Sequence, residues 1–135
     1  MKPNKAFIRI DTAAQAAALF WAELPKAQQE ERVFVLPLDA TGKVLAKPIL
    51  VSIGHCDGTA VIEPGVIFRE ALKVGAEEII VAHNHPSGNL TPSKADLATT
   101  RELKDLAQRL GVLFLDHLIL GAAHDNFVSL AEYLD

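Results

Sequence analysis

The sequence predicts an α/β domain: a mixed sheet flanked by helices. Three observations predict it. Strand-like apolar runs alternate with helix-like patterns in the order α-β-β-α-β-α-β-β along 135 residues. A turn signal, Asp39-Ala40-Thr41-Gly42, separates the first two strand runs and predicts a hairpin. Half of the residues are hydrophobic, enough to fill a core, and the length fits one domain over 1–135.

Each element has its own signal. Asp11 reads as an N-cap before an Ala-rich helix from Thr12 to Leu24, which stops at Pro25; Leu19, Phe20 and Leu24 would face inward. Val33 to Leu38 reads as a buried strand, and its Pro37 predicts an edge position or a bulge. Lys43 to Ile53 returns as the second hairpin strand, followed by a loop at His55-Cys56-Asp57-Gly58. Glu63-Pro64 opens a helix that runs through Val74 and closes at Gly75. Glu78 to His83 is a short apolar strand, broken by Pro86-Ser87-Gly88-Asn89. Thr91 reads as the next N-cap, with Pro92 in the first helical position. That helix carries Leu103, Leu106 and Leu110 at i, i+3 and i+7 and stops at Gly111. Val112 to Leu120 and Asn126 to Leu130 read as the last two strands.

Composition excludes several classes. The net charge of −4 argues against direct nucleic-acid binding, which needs a basic patch or stripe. The lone cysteine, Cys56, allows no intrachain disulfide and fits a reducing cytoplasm. Met1-Lys2-Pro3-Asn4-Lys5 has no apolar run behind it, so no secretory signal is expected. No apolar run approaches the ~18 residues a membrane helix needs. The expectation is a soluble, cytoplasmic chain that makes no use of a membrane; its oligomeric state stays open.

The most informative segment holds two imidazoles, a hydroxyl and a carboxylate. His83 and His85 are one residue apart and share a face on extended backbone. Ser93 and Asp96 are three apart and share a face on a helix. Two histidines and one aspartate make a full protein ligand set for a catalytic zinc, with the fourth position left for water. Ser93 would stand beside it as a donor, helped by the helix N-terminus. Taken singly, each residue has a plain alternative: a core histidine, an early-helix serine, an acid complementing the helix dipole. His117, behind Asp116 in an apolar strand, reads equally as a buried histidine or as support for the ligands. His55, Cys56 and Asp57 lack ligand spacing and read as loop residues, His124 as a turn residue, and Trp21 as helix packing.

The pattern His83-x-His85-x7-Ser93-x2-Asp96 resembles the signature of JAMM (MPN-type) metalloproteases. The surrounding text resembles the RadC branch of that family. It includes His83-Asn84-His85-Pro86-Ser87-Gly88, Leu115-Asp116-His117-Leu118-Ile119-Leu120-Gly121 and Phe68-Arg69-Glu70-Ala71-Leu72. The resemblance runs from about Glu31 to the C-terminus. It implies a cytidine-deaminase-like, JAMM-type architecture in a short, domain-only member without the helix-hairpin-helix region of longer relatives. One zinc per chain, held by His83, His85 and Asp96, is implied, with a catalytic glutamate from an earlier strand. Counting back eight residues from Asp39, as the RadC-like pattern does, gives Glu31, with Glu30 as the alternative. The plain reading of both is a pair of solvated charges. One departure is Gly65, which stands where RadC-like chains commonly carry an arginine.

The expected activity is zinc-dependent hydrolysis of peptide or isopeptide bonds in a peptide or protein substrate. Glu31 would serve as base and Ser93 as donor to the oxyanion. The alternative is an accessory protein of DNA repair or mobile-element biology that keeps the metal site without turnover.

Overall fold

A computed structural model describes residues 8–55 and 62–134. Its elements in chain order are α1 (Ala13–Trp21), β1 (Glu30–Leu38), β2 (Ile49–His55), α2 (Pro64–Lys73), β3 (Glu78–Asn84), α3 (Lys94–Leu110), β4 (Leu113–Leu120) and β5 (Phe127–Ser129), then a short 3-10 helix at Leu130–Tyr133. The strands form one mixed sheet in the order β2-β1-β3-β4-β5. Only β3 and β4 run parallel, joined across α3; the other neighbours are antiparallel. The α/β expectation therefore holds.

Alternation along the central strands builds two cores, one on each face. Phe34, Leu36 and Leu38 of β1, with Ile80 and Ala82 of β3, pack against Ala16, Ala17 and Phe20 of α1. The intervening residues, Val33, Val35, Ile79 and Val81, pack on the opposite face against Ile67, Phe68 and Ala71 of α2 and Leu103 and Ala107 of α3. Covered on both faces, β1 and β3 are nearly continuous apolar runs, as doubly covered strands must be.

Several boundaries differ from those expected. The N-cap of α1 is Thr12 rather than Asp11: Thr12 Oγ1 accepts the Gln15 N–H at 3.2 Å, and Gln15 Oε1 accepts the Thr12 N–H at 3.1 Å. This reciprocal box is what a helix start with a hydroxyl and an amide three residues on can build. The return strand begins at Ile49 rather than Lys43, and residues 43 and 44 make only isolated bridges, to Arg9 and Leu38. Pro48, just before β2, has no N–H to continue a ladder. His55, expected in a loop, closes β2, and Cys56, Asp57 and Gly58 lie outside the described residues. Pro37 is in an interior strand, since β1 lies between β2 and β3. It is tolerated because β2's ladder on β1 ends at Val35, so the missing N–H lies past the last rung; the ladder does carry a bulge, between Val33 and Phe34.

On α3 the buried stripe is Thr100, Leu103 and Ala107, whereas Leu110 is 45 % exposed. The helix ends at Gly111 as expected, in a left-handed conformation with φ 73° that glycine adopts without penalty. The last strand is three residues long, and Leu130, buried, belongs to the 3-10 helix. Among the described residues, no helix is long and apolar enough to cross a membrane.

Candidate metal centre

β3 keeps its alternation to its end. Ile79 and Val81 face α2 and α3, so His83 and His85 follow them onto that face. His83 is 1 % exposed, and its Nε2 lies 3.0 Å from His85 Nε2. The α3 N-terminus lies over this strand end, and its third residue is Asp96. Asp96 Oδ1 is 3.4 Å from His83 Nε2, and Oδ2 is 3.7 Å from His85 Nε2. The antiparallel register pairs Val33 with His83, so Glu31, two residues earlier on β1, arrives on the same face. Among the described residues, Glu31, His83 and His85 offer ligand atoms all within 4.8 Å of one another. Glu30 is excluded from this cluster by the alternation; its carboxylate pairs with Arg32 at 3.3 Å. The cluster thus sits beyond the carboxyl end of a strand in a parallel pair, at a helix N-terminus, where α/β sheets characteristically place ligands.

The hydrogen-bond partners behind the rings fix their tautomers. His85 Nδ1 lies 2.7 Å from the Asn89 carbonyl, which can only accept, so Nδ1 carries the proton. Behind His83 the chain is longer. Thr100 Oγ1 donates to the Asp96 carbonyl at 2.7 Å, so it accepts from His117 Nδ1 at 2.8 Å. Burial first, and then the neighbouring His83, push the His117 pKa well below its ordinary value, so this ring is neutral. Its Nε2 must therefore accept from His83 Nδ1, at 2.8 Å. With a ring proton on each Nδ1, His83 Nε2 and His85 Nε2 face each other and the Asp96 carboxylate.

Two imidazole nitrogens and carboxylates converging on one point make a donor set that suits a cation. The residues present therefore fit a metal ion, and the His/His/Glu cluster can hold one. Asp96 suits the same role. Burial disfavours its charge, but the contact with His83 and the Ser93 N–H bond outweigh this, and its carboxyl is held well below the usual carboxylate range.

Ser93 occupies a different position from the one expected. It is itself the α3 N-cap, in place of Thr91. Its Oγ accepts the Asp96 N–H and its own N–H donates to Asp96 Oδ2, each at 2.9 Å, while Thr91 N–H goes to Asn89 Oδ1 at 3.0 Å. Ser-x-x-Asp is thus a capping box that aims the Asp96 carboxylate at the histidines. The bond uses the hydroxyl oxygen as acceptor, so the hydroxyl proton is not committed to the cap.

His117 proves to be support for the cluster rather than an isolated core residue. Thr100, Asn84 and the Asn89 carbonyl were not anticipated. Thr100 had no signal of its own, whereas an asparagine between two histidines could have been questioned. Asp116 ties β4 to the C-terminus by accepting from the His117 and Ala131 N–H groups and the Ser129 hydroxyl. His124 lies edge-on to Trp21, whose Nε1 donates to the Ala122 carbonyl.

A mixed sheet with helices on both faces and histidines, an aspartate and a glutamate gathered at one strand end is the arrangement of a JAB-type domain. The chain belongs to the RadC-like JAB domain family, whose model matches residues 10–134. It is similar to a UPF0758 protein of Picosynechococcus sp., 44 % identical over 131 residues that cover 97 % of this chain and 51 % of the relative. A UPF0758 protein of Acaryochloris marina is 46 % identical over 123 residues, covering 91 % of this chain and 49 % of the relative. One of Clostridium perfringens is 38 % identical over 125 residues, covering 93 % and 53 %. The chain spans about half the length of the curated relatives it matches.

Proposed function

We propose that this domain is a zinc-dependent hydrolase of peptide or isopeptide bonds. The observation that carries the reading is the convergence of His83 Nε2, His85 Nε2 and two carboxylates at one strand end. His83, His85 and Asp96 would hold the ion, and two nitrogens with one oxygen and an open position suit zinc. Bound there, zinc would supply a water of lowered pKa and polarise the scissile carbonyl. Glu31, within 4.8 Å of both histidines, would take the proton of the attacking water on its carboxylate and pass it to the leaving amine. Ser93 would donate its hydroxyl proton to the carbonyl oxygen as charge develops there, a contribution of about 100- to 1000-fold for one such donor. The α3 N-terminus favours negative charge at the same place.

Two measurements test this. Elemental analysis of purified protein should find one zinc per chain, lost in Asp96→Ala. Turnover on a panel of peptide and isopeptide substrates should be abolished in Glu31→Gln at saturating zinc, with the metal retained. Cleavage undiminished in Glu31→Gln would sink the proposed base, and absence of zinc from the unsubstituted protein after zinc is supplied would sink the metal reading.

A further inference from the structure

Asn84 stands between the two histidines, and its side chain is fully buried. The β1–β3 ladder ends one residue short of it, at the Val33–His83 pair. Past that point the Asn84 carboxamide replaces the missing rung. Its Oδ1 accepts the Arg32 N–H at 2.6 Å, and its Nδ2 donates to the Glu30 carbonyl at 3.0 Å. Those two groups belong to the peptide units on either side of the Glu31 Cα. The second Nδ2 hydrogen goes to Gln28 Oε1 at 3.1 Å, and Gln28 Nε2 in turn donates to the Gly121 carbonyl at 3.2 Å. With one donor at the oxygen and two acceptors at the nitrogen, only one orientation of the amide satisfies every partner.

We infer that Asn84 is a positioning residue for Glu31: it clamps both peptide units around that residue and so sets the direction in which its carboxylate leaves β1. This rests on the metal reading above and extends it to a residue with no ligating role. The opposite side of Glu31 is held by its pairing with Gly54 in β2. The clamp therefore closes the second side and ties the glutamate to the strand that carries both histidines. Alanine at 84 removes both bonds and leaves the histidines' own partners, the Asn89 carbonyl and His117, in place. A small rotation of the β1 start is enough to matter, because a displacement near 1 Å at such a site costs on the order of 100-fold in rate.

The test is a double-mutant cycle read on zinc affinity, measured by competition with a chromogenic chelator, in Asn84→Ala, Glu31→Gln and the double variant. Glu31→Gln removes a carboxylate beside the ion, and Asn84→Ala misdirects it. Each is expected to weaken zinc by about tenfold, the scale of lost outer partners. The double variant is expected to be no weaker than Glu31→Gln alone, because Asn84 acts only through the glutamate. A double variant weakened by the product of the two, about a hundredfold, would overturn the inference and assign Asn84 to the histidines or to general stability. Should Asn84→Ala not fold, Gln28→Ala makes the same comparison. Gln28 precedes β1 and touches neither histidine in these bonds, holding the amide and the Gly121 carbonyl, so a smaller loss that vanishes in the Glu31→Gln background is expected; a loss that persists there overturns the inference. Failure of the metal reading shows separately, as no zinc on the unsubstituted chain.

Discussion

β1 and β3 show two faces that differ at one end only. Towards α1, the residues Phe34, Leu36, Leu38, Ile80 and Ala82 form an apolar surface closed by Phe20. Towards α2 and α3 the same strands begin alike, with Val35, Val33, Ile79 and Val81. There the pattern then changes to Glu31, His83 and His85 at the strand ends, where the α3 N-terminus arrives with Asp96. One face is devoted to burial along its middle, with Asn84 following Ile80 and Ala82 at its end. The other gives up its last apolar positions to gather imidazoles and carboxylates where a cation can join them. Stability and chemistry are thus carried by opposite faces of the same residues' backbone, and substitutions should separate them.

The largest effect is expected on the α1 face. Phe20 is fully buried, and Phe20→Ala should cost about 3–5 kcal/mol in chemical denaturation. Protein that remains folded should still bind zinc with unchanged stoichiometry. Loss of zinc from folded Phe20→Ala protein would break the separation of faces.

Next comes the metal itself. Zinc at a hundred times its dissociation constant should stabilise the native state by about 2.7 kcal/mol, read as a rise in Tm that a chelator reverses. Asp96→Ala should show no such rise. Its metal-free form should be less stable than the unsubstituted metal-free chain at neutral pH, because the His83 and Ser93 contacts that hold the Asp96 carboxyl below its ordinary range favour the folded state. An unchanged zinc response in Asp96→Ala would move the third ligand to Glu31.

Thr100→Val probes the join between the faces' shared scaffold and the centre. The variant keeps the shape of the side chain and removes the hydroxyl that His117 Nδ1 uses. His83 then loses the chain that holds its proton on Nδ1, and zinc should weaken roughly 10- to 100-fold, or about 1.4–2.7 kcal/mol, in chelator competition. Unaltered affinity would mean that the tautomer of His83 is set without the relay.

The two faces also differ in how far the sequence discloses them. The apolar runs of β1 and β3 are visible because period-two burial on both sides leaves almost no polar residue in the run. His83, His85, Ser93 and Asp96 are visible because their chemistry is local, carried on one strand end and the following helix start. Glu31 is not: its place beside the histidines depends on a cross-strand register, and only the resemblance to RadC-like chains singled it out before the fold did. Thr100, His117 and Asn84 are further removed, since a hydroxyl or an amide acquires its meaning only from what the fold sets against it. The misplaced starts of β2 and α3 have a common cause. Pro48 through its missing N–H and the Ser93–Asp96 box through its paired bonds decide those boundaries, and hydrophobic periodicity reports neither.

The smallest predicted effect lies at the other end of β3, on Glu78. Burial, followed by the charges of Asp39 and Glu77, raises its pKa above the ordinary 4.5. A carboxyl with a folded-state pKa above its unfolded value binds more protons when folded, so its ionisation opposes folding. That burden is fully present at pH values above the folded pKa and disappears as pH falls below 4.5, where the folded and unfolded forms are both protonated. Glu78→Gln should therefore be more stable than the unsubstituted protein at neutral pH, by less than about 1 kcal/mol. The difference should shrink to nothing as denaturation is repeated at falling pH. Zinc binding should be untouched throughout, since the strand's polar start and its polar end are separated by the apolar residues Ile79 to Ala82. A stabilisation that persists in acid would assign the effect to packing rather than charge, and a change in zinc affinity would show that the two ends of β3 are coupled.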